Sequence, residues 1–138
     1  MHNKILGNEF EQEICSLLCF RKFWAHFIVP DKTGAQPFDI IAVKQEKAYA
    51  IDCKTCAFNK FTIGRLEENQ KNAFDRWLYC GNIMPLIAVK HKDKILWIEY
   101  KAIKELGAIP LEDDKIEKDL RIGMVYDDVL EDNVICVL

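Results

Sequence analysis

The sequence has no apolar run approaching the roughly 18 uncharged residues that a membrane span needs. Its N-terminus lacks the apolar core of a signal peptide. Neither a membrane role nor secretion is expected, and the expected compartment is the cytoplasm. No internal repeat or low-complexity segment occurs, so a repeat architecture is excluded. No second C-x-x-C or Cys/His pair accompanies Cys53 and Cys56, as a structural zinc site would require. That lone pair ends a strand-like run, whereas a thioredoxin-type motif opens a helix. Cys15, Cys19, Cys80 and Cys136 lie in apolar runs, where a thiol behaves as a small hydrophobe. Positive charge is not in excess either: 19 Lys and Arg face 22 Asp and Glu, a net charge of −3. Most nucleic-acid-binding domains are basic, so this average weighs against such a partner.

What is present has the length and balance of one folded domain, 138 residues, half of them apolar and 30% charged. The charge is unevenly spread. Residues 111–138 hold nine acids and three bases, a local −6, which leaves residues 1–110 at +3. The expected organisation is a single domain, 1–138, with a core over 1–110 and an acidic C-terminal extension over 111–138.

Phe10, Ile14, Leu17 and Leu18 recur at helical spacing behind Glu9, Glu11 and Glu13, which predicts an amphipathic helix over 7–23. Strands are expected at 24–29, 38–44, 48–54, 84–89 and 94–100, with a polar loop over 30–37. The stretch 55–64 reads as irregular. A second helix is expected from about Leu66 to Cys80, stopped by Gly81, and a short third one over 101–106. The fold class is therefore α/β, one mixed five-stranded sheet flanked by helices. Apolar residues in the tail, among them Ile122, Val134 and Ile135, suggest an edge element or a surface for a partner.

Chemistry is concentrated between Gly34 and Lys54. Asp39 opens one apolar strand, and Asp52 and Lys54 close the next, sharing a face because side chains alternate along a strand. Two acids and a lysine in apolar sequence are costly to bury without a task. Mg2+ suits them: it takes carboxylate and carbonyl oxygens, keeps several waters and binds with a substrate phosphate. Asp39 and Asp52 would supply carboxylates, and the Cys53 backbone carbonyl a third oxygen. Lys54 would orient or deprotonate the attacking water and offset charge at the scissile phosphate. The same three residues also fit a strand cap at Asp39 and a surface ion pair between Asp52 and Lys54. Glu11, at the edge of the apolar stripe of the first helix, can lean toward the same cation or remain a solvated acid. Gln70, on the second helix, is either a site residue or an ordinary surface amide.

Taken in order, Gly7, Phe10 and Glu11, then Pro37, Phe38 and Asp39, then Ile51-Asp52-Cys53-Lys54-Thr55 and Gln70 resemble the PD-(D/E)XK nuclease superfamily. Within it the sequence looks most like the archaeal-type and RecU-like Holliday junction resolvases, also found in phages and prophages. The resemblance spans roughly residues 4–100 and implies the restriction-endonuclease-like fold. It implies that Asp39, Asp52 and Glu11 hold Mg2+ (or Mn2+), that Lys54 is the catalytic lysine, and that Gln70 assists. It also implies a homodimer that cuts four-way DNA junctions, with Lys32 and Thr33 of the 30–37 loop at phosphates. Lys60 and Arg65 of the basic body would be further phosphate contacts, and the body's modest excess of positive charge suggests salt-sensitive binding. Phe38 separates the family's Pro and Asp, which should not disturb metal binding. Alternatives on the same fold are a nuclease of duplex or single-stranded DNA, restriction or repair type, and a catalytically silent DNA-binding module. A further alternative is that the acidic tail mimics DNA on a neighbouring subunit.

Overall fold

Helix α1 (Glu9–Phe20) buries Phe10, Ile14 and Leu18, a stripe of one residue per helical turn, and carries Glu9 and Glu11 in its first turn. It belongs to a computed structural model of the chain, which describes residues 9–29 and 36–137. The helix ends where Lys22 takes a left-handed conformation and the Phe23 amide donates to the Leu18 carbonyl. Strand β1 (Trp24–Phe27) then runs antiparallel to β2 (Ile40–Lys44), which turns back into β3 (Lys47–Thr55).

The β2–β3 turn is a two-residue hairpin loop in which both Gln45 and Glu46 have positive φ. The stretch read as irregular contains a short strand, β4 (Lys60–Thr62), followed by one turn of 3-10 helix. Helix α2 (Glu68–Tyr79) crosses back to β5 (Leu86–His91), which lies parallel to β3. β6 (Lys94–Glu99), α3 (Tyr100–Leu106), β7 (Ala108–Pro110), α4 (Asp113–Lys118), β8 (Ile122–Asp127) and β9 (Asp132–Val137) complete the order.

The main sheet has seven strands in the order β1-β2-β3-β5-β6-β9-β8, and β4 pairs with β7 in a separate ribbon. The expected five strands form a continuous block, but the count of five is too low. β9 joins β6 in parallel, Trp97 opposite Val134 and Ile98 opposite Ile135, and β8 caps that edge. A two-strand addition was hard to see because a parallel pairing leaves no hairpin signature between its partners. The tail also packs inward: Ile116, Ile122, Leu130 and Ile135 are buried. Arg21, at the end of α1, pairs with Asp132, and the Trp97 indole donates to that same carboxylate at 2.9 Å.

β3 is buried on both faces. Ile51 and Cys53 meet α1 together with Phe10, Ile14 and Leu18, while Ala50 meets the core of Phe61, Phe74, Ile87 and Tyr100 beneath α2 and α3. Among the described residues, no helix is long and apolar enough to cross a membrane.

Two outcomes follow from this packing. Replacing Gln45 and Glu46 by Asn and Gly should raise stability by about 1 kcal/mol or more, since left-handed backbone costs most L residues about that much. Chemical denaturation would show it as a higher midpoint with an unchanged slope. Deleting residues 111–138 strips β6 of its neighbour and should yield insoluble protein, whereas a soluble product with a native circular dichroism spectrum would contradict the packing described.

Candidate active site

The site lies at the C-terminal end of β3, the place in an open sheet where helices on both faces leave a crevice. Asp39 precedes β2 and is fixed by its backbone: its amide donates to the Ile51 carbonyl at 3.0 Å, and its carbonyl accepts the Ile28 amide at 2.8 Å. Its carboxylate accepts the Cys53 amide at 2.7 Å and the Gln36 side-chain amide at 2.5 Å. In a strand a residue's amide and carbonyl face the same neighbour, so the Cys53 carbonyl lies on the Asp39 side.

Asp52 points to the α2 face and is wholly enclosed, 0% exposed. One carboxylate oxygen accepts the Gln70 amide at 2.9 Å. The other is 3.3 Å from the Lys54 ammonium, without the alignment of a hydrogen bond. Gln70 ties the two together. Its Oε1 accepts from Lys54 at 3.2 Å and from the Glu67 amide at 3.0 Å, so the same carbonyl caps the first turn of α2. The Asp52–Lys54 pair is therefore no surface ion pair, and Gln70, 6% exposed, is no surface amide.

Glu11 reaches in from α1. It is half-buried beside Asp39, and its Oε2 is enclosed with no hydrogen-bond partner among the described residues. Burial and then the Asp39 charge push its carboxyl from 4.5 up to about 7, against the pull of Lys54. The same causes in the same order hold Asp52 well above the usual carboxylate range. Burial, then the three carboxylates, raise the Cys53 thiol, so it is no nucleophile at neutral pH.

Glu11 and Asp52 thus crowd around Asp39 with one lysine to offset the three acids, and two enclosed oxygens, Glu11 Oε2 and Asp52 Oδ2, lack hydrogen-bond donors among the described residues. That donor set fits a hard divalent cation. As they stand, no three His, Cys, Asp or Glu side chains among the described residues form a ready-made ligand set, so side-chain rotation would have to complete one.

The structure brings Glu11, Asp39, Asp52, Lys54 and Gln70 together. It does not bring Lys60 or Arg65 into that cluster. Lys60 is exposed on β4, and the Arg65 guanidinium donates to the Thr55 carbonyl at 2.8 Å, one residue past Lys54. Gly7, Lys32 and Thr33 lie outside the described residues. Gln36 escaped the sequence reading, although its place three residues before Asp39 was a usable signal. Its backbone carbonyl is held in turn by the Asn69 side chain of α2 at 2.8 Å.

Neither a known family's sequence profile nor a curated protein sequence matches the chain. The solved structure of Hjc, a Holliday junction resolvase from the archaeal hyperthermophile Archaeoglobus fulgidus, does. It covers 68% of this chain and 70% of its own, with 18% identical residues and a TM-score of 0.53. The chain shares the fold of that resolvase. The mixed sheet flanked by helices is the restriction-endonuclease-like arrangement expected from the motifs, with β8 and β9 added at one edge.

In metal-free protein the Glu11 and Asp52 carboxyls bind protons more tightly when folded than when unfolded. Their stabilising contribution is full at pH values below the unfolded carboxylate range and is lost as pH rises through about 7, where Glu11 ionises. Thermal unfolding in EDTA should show the midpoint falling between about pH 5 and pH 8, and Glu11→Gln should flatten the fall. A wild-type midpoint that stays level across that window would contradict the electrostatics described.

Proposed function

We propose that the chain is a metal-dependent DNA endonuclease of the junction-resolving kind. The observation that carries this reading is the set of carboxyl groups around Asp39, with Lys54 and Gln70 beside them at the end of β3, on the fold of a Holliday junction resolvase. Asp39, Asp52, Glu11 and the Cys53 carbonyl would hold Mg2+, with Mn2+ as a substitute. Bound there, the cation supplies a water acidic enough to attack and neutralises charge on the scissile phosphate.

Each protein group then has a distinct task. Asp52 and Asp39 bring carboxyl oxygens to the end of the sheet, Asp39 oriented by the Cys53 amide and Gln36. Lys54 places its ammonium where the phosphate's charge grows and orients the attacking water. Gln70 keeps that ammonium and the Asp52 carboxylate in one geometry by accepting from the first and donating to the second. Phosphates on either side of the cut would be met by Lys60, Arg65, Lys32 and Thr33. Two copies, each with one such site, would cut paired strands of a four-way junction.

Purified protein should cleave a synthetic four-way junction with Mg2+ or Mn2+ and not in EDTA. Asp52→Asn should slow cleavage about a thousandfold or more, the loss of several kcal/mol of charge stabilisation, while junction binding persists. Mg2+ should also raise the melting temperature of the wild type and not that of Asp52→Asn. Equal cutting of linear duplex defeats the junction assignment, and no cutting of any DNA with either metal defeats the nuclease reading.

A further inference from the structure

The ribbon formed by β4 and β7 borders a groove of about 410 Å3 that has no part in the acidic cluster. Phe58, Asn59 and Lys60 line one side, and Ala108, Pro110 and Lys115 the other. No acid lines it. Phe58 is 75% exposed, an aromatic ring left in water although apolar cores lie close by. Its exposure does not come from a slack loop. The Cys56 amide donates to the Lys90 carbonyl at 2.9 Å, and the Leu111 amide donates to the Asn59 carbonyl at 2.9 Å. Between those anchors the Cys56 thiol faces the Phe58 and Lys60 carbonyls at 3.6 and 3.4 Å. The backbone is held on both sides of a ring that faces solvent.

An exposed aromatic flanked by lysines in a groove of otherwise uncharged lining has the chemistry of a nucleotide platform: a base stacks on the ring and cations meet the phosphates. Lys60 pairs with no acid within the described residues. Lys115 pairs with Glu112 at 3.6 Å, an ion pair exposed enough to exchange for a phosphate at little cost. The groove is also near the chemistry. Phe58 follows Lys54 by four residues, so the two Cα atoms lie at most about 14 Å apart. That is about four nucleotide steps along one strand.

We propose that this groove binds one unstacked nucleotide of the DNA substrate, with Phe58 under the base and Lys60 and Lys115 at its phosphates. The proposal rests on the nuclease reading and narrows its substrate to DNA with readily unstacked bases beside the cut. Unstacking is cheapest for bases that are already unpaired, so the groove favours branch points over continuous duplex.

The test is binding by metal-free protein, followed by fluorescence anisotropy, to a labelled oligothymidine and to a blunt duplex of equal length. Phe58→Ala should weaken oligothymidine binding about tenfold or more, the loss of one base–aromatic stack, and leave duplex binding and the melting temperature unchanged. Phe58→Trp should restore the affinity and show emission quenched on binding oligothymidine. Unchanged oligothymidine binding by Phe58→Ala overturns the proposal, and is also the result if the groove takes a peptide instead. An equal loss on both DNAs overturns it as well. Because binding is read without cleavage, Phe58-dependent binding with no junction cutting sinks the nuclease reading alone. Junction cutting with Phe58-independent binding sinks the groove alone.

Discussion

The carboxylate of Asp52 has no contact with water; Asp39 stands beside it, and Glu11 stands beside Asp39 in turn. An enclosed ionised carboxylate is tolerated only with partners, and here those partners organise their surroundings. Gln70 donates to Asp52 and in the same geometry accepts the Glu67 amide, so the start of α2 is set by the needs of a strand residue. Lys54 is drawn over the sheet end by the same pair of groups. Asp39 takes the amide that Cys53 would otherwise leave unpaired beyond the last β2 pairing, and Gln36 reaches back to hold it. Remaining unsatisfied are two carboxylate oxygens in a confined space, an arrangement that stores repulsion until a cation or a proton relieves it.

That tension is borne by a stiff platform. β3 has apolar packing from α1 on one face and the α2–α3 layer on the other, and it pairs with β2 and β5 along its edges. The β8–β9 addition extends the same platform. Its Asp132 ties the end of α1 to Trp97 on β6, so the helix that delivers Glu11 is anchored at its far end by the tail. The acidic tail is thus built into the sheet through Ile122, Leu130 and Ile135.

Much of this was legible in the residue order. Helical spacing at Phe10, Ile14 and Leu18 and the apolar runs of β2, β3, β5 and β6 are local signals, and each element formed within a few residues of its expected bounds. The spacing of Asp52 and Lys54 already placed them on one face. Less legible were β4, whose three residues are too few to show a period, and the left-handed backbone of the expected turn at Gln45 and Glu46, which lacks the usual Asn or Gly. Gln36 was passed over because an amide in a loop has no periodic signature, and only the return of the chain to Asp39 gives it a partner.

By itself the sequence determined which residues carry charge, which faces are apolar and in what order the elements come, because those follow from side-chain chemistry and the two backbone periods. Tertiary structure alone decided that Asp52 is enclosed, that Glu11 crosses from another layer to stand beside Asp39, and that the tail completes the sheet as two strands. Burial and electrostatic coupling depend on distances between residues far apart in the chain, and no local pattern encodes those distances. The same carboxyl group titrates in its ordinary range in an unfolded chain and is pushed upward at this sheet end, because only the fold removes its water and brings other acids beside it.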